Sequence, residues 1–146
     1  MNVYIRDLSR ALLRREVLVD VYTRSQNPAI PSVSCALGPG ARVIHIPAGP
    51  QKPLDKDRVF EHVPEFAQRV IDFAARDQAS YDLIHSHYWL SGWAAKGLQA
   101  AWNVPIIQMF HTLGHMKNLV AQSESERESE RRIEVEGEVM RFADRL

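Results

Sequence analysis

The stretch from Tyr81 to Ala95 constrains the fold more than any other part of this 146-residue chain. It reads Tyr-Asp-Leu-Ile-His-Ser-His-Tyr-Trp-Leu-Ser-Gly-Trp-Ala-Ala. A short apolar run is followed by a polar, His-bearing turn, then by an Ala-rich apolar segment. That order predicts a strand that hands over to a helix. The layout recurs downstream. Val104–Phe110 predicts a strand, and His111-Thr-Leu-Gly-His-Met-Lys117 follows at its end. Ligands of open α/β sheets bind at the carboxyl edge of the strands, so two such turns on neighbouring strands predict a binding cleft.

The rest of the pattern agrees. Residues 3–14 predict an amphipathic helix with Tyr4, Leu8, Ala11 and Leu12 on one face and Asn2 at the N-cap position. Residues 17–23 and 41–46 predict strands, separated by a Pro- and Gly-rich loop. Pro64 suits a helix start, and Phe66, Val70, Phe73 and Ala74 mark one face of that helix. Residues 81–86 and 104–110 are the third and fourth strands, with a helix over 90–101 between them. A last helix is expected over about 126–142, with a stripe of Val135, Val139 and Phe142. Strands alternating with helices predict βαβ units. The expected fold is α/β: a Rossmann-like, doubly wound parallel sheet with helices on both faces. Such a fold starts with a strand, whereas the first element here is a helix. A single domain lacking its first strand and cut at both ends is therefore expected.

Composition excludes several functions. Basic and acidic side chains balance at 18 each, and nucleic-acid binding usually needs a basic excess. No run approaches the ~18 apolar residues of a membrane span. The single Cys35 cannot form an internal disulfide and fits a reducing compartment. No signal-peptide pattern opens the chain. A cytoplasmic protein with no nucleic-acid partner is expected. His85 and His87 alternate about Ser86 and share a face, so a metal site with His111 and His115 is conceivable. No Asp or Glu joins them at a hydrolase-like spacing, and no metal or cofactor is expected. Trp89 and Trp93 are expected to pack in a core or against another domain.

Several segments, in order, resemble the N-terminal domain of retaining GT-B glycosyltransferases of family 4. They are Met1–Ile5, Val19–Arg24, Ile46–Pro50, Tyr81–Gly92, Phe110–Leu113 with Lys117-Asn118, and Arg141–Arg145. Within that family the likeness is to inositol-phosphate N-acetylglucosaminyltransferases of mycothiol synthesis and to sucrose-phosphate synthases. The resemblance implies that residues 1–146 are an acceptor-binding domain, and that a second, donor-binding domain lies outside them. It implies sugar transfer from a nucleotide-sugar donor to a small phosphorylated polyol or sugar. Arg15-Glu-Val17 stands where the family usually has a Gly near the end of the first helix.

The resemblance also assigns residues. Asn2 matches an acceptor-contacting Asn, Lys56 a phosphate-contacting Lys, and Tyr88 an acceptor-contacting Tyr. His111 matches the His beside the transferred sugar, and Thr112 the Thr that helps hold the acceptor phosphate. The family's phosphate-binding Arg falls on Arg131 when counted forward from His111, and on Arg132 when counted back from Ala143-Asp144. A guanidinium fork suits phosphate at either place. Two alternatives stay open: a non-catalytic remnant of such an enzyme, and a His-rich metal-dependent hydrolase.

Overall fold

The computed structural model describes residues 3–146. Asn2 lies outside the described residues. The chain divides into two compact units, one running to Leu54 and one from Asp55 to Leu146.

The first unit opens with helix α1, Val3–Leu13. Its end is a reciprocal pair of turn bonds: Glu16 N–H donates to the Leu13 carbonyl and Val17 N–H to the Leu12 carbonyl. That pairing needs a left-handed residue at its centre, and Glu16 supplies it at φ 62°. A side chain there costs roughly 1–2 kcal/mol relative to Gly. Strand β1, Val19–Arg24, pairs in parallel with β3, Ala41–Ile46, and the two-residue β2, Val33–Ser34, adds antiparallel to β3. Leu37, Ala41 and Val43 form a core with Leu13, Val19 and Val21. The β1 end is tied to the turn after β3. The Arg24 guanidinium donates to the carbonyls of Ala48, Pro50 and Lys52 at 3.3, 2.8 and 2.7 Å.

The second unit starts with α2, Lys56–Glu61, whose first turn is capped by the Asp55 carboxylate at 2.9 Å from Arg58 N. Helix α3, Val63–Arg76, carries Pro64 in its first turn and buries Val63, Ala67, Val70 and Ala74. Strand β4, Ile84–His87, is continuous with α4, Tyr88–Trp102. Strand β5, Ile106–Met109, pairs in parallel with β4, Ser86 opposite Gln108 and His87 opposite Met109. The polar stretch after β5 is not all turn. Gly114–Val120 forms a helix, α5. Helix α6, Glu130–Phe142, is capped by Ser129 and buries Arg132, Val135, Glu136 and Val139. After it Arg145 makes a parallel bridge to Ile107. Trp89, Val135 and Val139 form the core of this unit, with Phe60, Leu90, Trp93, Phe110 and Phe142 packed on them.

The architecture is therefore α/β with two parallel strand pairs, the second joined through helix α4 as the alternating pattern predicts and the first through a loop that carries β2. The antiparallel β2 is an addition that two residues cannot announce in a sequence.

Candidate functional site

Strands β4 and β5 end side by side, and the chain turns in the same unusual way after each. Tyr88 has φ 73° and His111 has φ 64°. Bulky side chains seldom occupy this left-handed region, and each instance costs of order 1–3 kcal/mol unless its surroundings enforce it. Buried Gln108 enforces the first. Its amide donates to the Tyr88 carbonyl at 3.3 Å, while the Ser86 hydroxyl donates to its Oε1 at 2.6 Å. Gly92 is part of the same arrangement. A Cβ there would sit 2.6 Å from Gln108 Oε1 and 2.9 Å from Val139 Cγ1.

The histidines of the two turns stack. The rings of His85 and His87 lie 4.3 Å apart, and those of His87 and His111 lie 5.4 Å apart. His87 Nδ1 is 3.2 Å from His111 Nε2, so one ring donates and the other accepts. Burial, and then the charges that His85 and His111 would carry, push His87 down to about 4. Burial, then His111, lowers His85 as well. His111 is held at the strand edge by its contact with His87. Among the described residues no three His, Cys, Asp or Glu side chains are arranged to hold a metal ion.

Arg132 organises the other side. It is almost fully buried, at 1% exposure. Its Nε donates to Glu136 Oε1 at 2.6 Å, Nη1 lies 2.8 Å from Glu128 Oε1, and Nη2 donates to the Thr112 carbonyl at 2.7 Å. The Thr112 hydroxyl is 3.4 Å from Nη2. Burial opposes the guanidinium charge, but the bonds to Glu136 and Glu128 outweigh it and raise the Arg132 pKa. Glu136 also accepts the Gly114 N–H at 2.8 Å, which fixes the start of α5. Gly114 fits closely there, because a Cβ would lie 3.2 Å from Arg132 Cδ and Nε and would press the side chain aside.

Tyr88 lies between two cations. Arg132 Cζ is 4.7 Å and Lys56 Nζ is 5.4 Å from its ring centre. The Tyr88 hydroxyl is buried and makes no hydrogen bond of normal length. It is still near enough to the Lys56 ammonium to be the main cause raising the Lys56 pKa. Lys56 is the accessible member, its side chain 56% exposed, with Glu128 Oε2 at 3.6 Å. Glu128 also binds Lys117. Burial works against the Glu128 charge, yet Lys117, Arg132 and Lys56 together hold its pKa at about 2. Arg127, Glu128, Lys56 and Lys117 edge an open depression of about 470 Å³.

The structure thus brings Lys56, Tyr88, Thr112 and Arg132 together. It separates the two arginines that spacing left open. Arg131 lies on the exposed side of α6, 3.9 Å from Asp57 Oδ1, with its guanidinium over Phe60. His111 belongs to the histidine stack. His115 is exposed. Gln108, Gly114 and Glu136 carry no pattern in the sequence that marks them as part of a site.

The model of the glycosyl transferase 4-like domain matches residues 1–146. The chain belongs to this family. D-inositol 3-phosphate glycosyltransferase of Nocardiopsis dassonvillei is 40% identical over 147 residues, covering 100% of this chain and 34% of the relative. The enzyme of the same name from Corynebacterium diphtheriae is 41% identical over 146 residues, again 100% of this chain and 34% of the relative. The chain therefore spans about a third of the length of these curated relatives. Among solved structures, sucrose-phosphate synthase from Thermosynechococcus elongatus superposes with a TM-score of 0.87 at 34% identity, over 97% of this chain and 35% of that one. The fold is accordingly that of one part of a GT-B glycosyltransferase. No described helix is long and apolar enough to cross a membrane.

Proposed function

We propose that the unit from Asp55 to Leu146 holds the phosphate of a small phosphorylated polyol or sugar, the acceptor in a glycosyl transfer. The observation that carries this reading is the placement of Tyr88. Its buried hydroxyl has no partner at normal hydrogen-bond length, though the Lys56 ammonium is close enough to feel it, and Lys56 and Arg132 flank its ring. A phosphate oxygen would supply that partner and meet both cations. Lys56 is the exposed point charge, suited to first contact with an anion. Thr112 offers a hydroxyl whose position Arg132 sets through the neighbouring carbonyl. The names of the relatives, which specify inositol 3-phosphate, support an acceptor of this class.

His111 is assigned the place beside the transferred sugar. Its ring is held by His87 through Nε2. Transfer would depend on positioning and on stabilising the leaving phosphate. The groups for that second task, and the nucleotide-sugar pocket, are assigned to a donor domain outside residues 1–146. Residues 1–146 alone are then expected to transfer no sugar.

Calorimetric titration of the chain with an inositol phosphate and with inositol tests the acceptor reading. Charge-assisted hydrogen bonds are worth about 1.5–3 kcal/mol each, so the phosphorylated ligand should bind about tenfold more tightly or better. Lys56→Ala and high salt should both narrow the gap. Equal affinity for the two ligands would remove the basis of the assignment.

A further inference from the structure

We propose that the Glu128 carboxylate is an internal stand-in for a ligand phosphate: it occupies the cationic cradle in the free protein, and an incoming phosphate displaces it. This rests on the acceptor-phosphate reading above.

Three cations converge on the one carboxylate. Lys117 and Arg132 bind Oε1, and Lys56 lies 3.6 Å from Oε2. Arg132 does not need Glu128 for charge balance, because buried Glu136 already pairs with its Nε at 2.6 Å. Counting Lys56, Lys117 and Arg132 against Glu128 and Glu136 leaves one net positive charge. With the Glu128 side chain withdrawn, the excess becomes two, which matches a phosphate dianion.

The main chain at Glu128 is fixed while its side chain borders solvent. Asn118 holds the residue from both sides, accepting from Glu128 N at 2.8 Å and donating to Glu128 O at 3.1 Å. Glu128 precedes α6, so the side chain can swing without disturbing a helical turn. It is 11% exposed, whereas Arg132 is 1% exposed. A ligand reaches Arg132 or the covered Tyr88 hydroxyl only after a covering group has moved. Glu128 is the anionic group on that path, and the depression beside it, lined by Lys56, Lys117 and Arg127, gives room for exchange. Displacement would also select among ligands. A neutral polyol has no charge to offer the three cations in place of the carboxylate.

Titration of the 146-residue chain with inorganic phosphate at constant ionic strength tests this, using wild type, Glu128→Gln and Lys56→Ala. Removing the competing anion should tighten phosphate binding about tenfold in Glu128→Gln, while Lys56→Ala should weaken it about tenfold. Weakening by Lys56→Ala with no gain, or a loss, in Glu128→Gln overturns the displacement and leaves the phosphate reading standing. No effect of Lys56→Ala overturns the phosphate reading and the displacement with it. A measurement on the wild type guards against a Glu128→Gln protein that does not fold. The ¹³C resonance of the Glu128 carboxyl should move as phosphate saturates the site and stay put with inositol. A resonance that phosphate leaves unmoved rejects the proposal.

Discussion

Arg132 and Glu136, one turn apart on α6, form a buried ion pair, with Nε 2.6 Å from Oε1 and side chains 1% and 4% exposed. The pair joins α6 to the turn between β5 and α5, because Glu136 also accepts from Gly114 and Arg132 donates to Thr112. Taking two charges out of water is costly, and removing Glu136 leaves buried Arg132 to Glu128 and Gly114 N–H without its acceptor. Glu136→Ala is therefore expected to destabilise the protein by about 1–3 kcal/mol. Arg131→Ala, one residue from Arg132 but on the exposed side, should change stability by no more than about 0.5 kcal/mol. Urea denaturation of the two variants checks the contrast.

Gly92→Ala should cost about 1–3 kcal/mol, because the new methyl would overlap Gln108 Oε1 and Val139. Gly97 is the internal control. It lies in the same helix, and a Cβ there meets Ala67 Cβ at an ordinary 3.5 Å. Gly97→Ala should be neutral or stabilising, by up to about 1 kcal/mol. Thermal melts of the two variants should move in opposite directions, or only that of Gly92→Ala should move.

Much of this was written in the sequence, and the misses have physical causes. Strand 41–46 has the bounds the pattern predicts. The strand expected from residue 81 starts only at Ile84, and Tyr81 instead packs on Trp102, ring centres 4.7 Å apart. Helix α5 was hidden by its own first residue. Gly114 is a poor helix former, but here its N–H has a carboxylate partner and its missing side chain makes room for Arg132. The choice between Arg131 and Arg132 was within reach of periodicity. The stripe of Val135 and Val139, carried back by three and seven residues, lands on Arg132. Spacing to distant motifs obscured this, since the loop before α6 adds its own length. The buried hydrogen bonds of Gln108 leave no trace in a sequence, because a lone Gln in a strand carries no pattern.

Acid should weaken the fold in two stages. His87 is held at about 4, below its ordinary 6.5, so the unfolded chain takes up that proton first. Stability is then level above pH 6.5 and falls between 6.5 and 4, by an amount of order 2 kcal/mol after solvent screening. Glu128, held at about 2 against an ordinary 4.5, continues the loss below pH 4.5. His87→Gln should flatten the upper stage and leave the lower one. Denaturation midpoints across pH 3–8 test this, and an NMR titration midpoint for His87 near 6.5 would contradict it.

The Tyr88 hydroxyl separates stability from binding most directly. It is buried without a hydrogen bond of normal length, beside the mostly exposed Lys56 ammonium, so its loss should cost the ligand-free fold little. If it meets the acceptor phosphate, the same loss removes a charge-assisted hydrogen bond, worth about tenfold in affinity. The deciding measurement is the affinity of Tyr88→Phe for an inositol phosphate, with its melting temperature recorded beside wild type. The expected result is an unchanged or higher melting temperature together with roughly tenfold weaker binding. Binding equal to wild type would place the phosphate away from Tyr88 and contradict the proposed site.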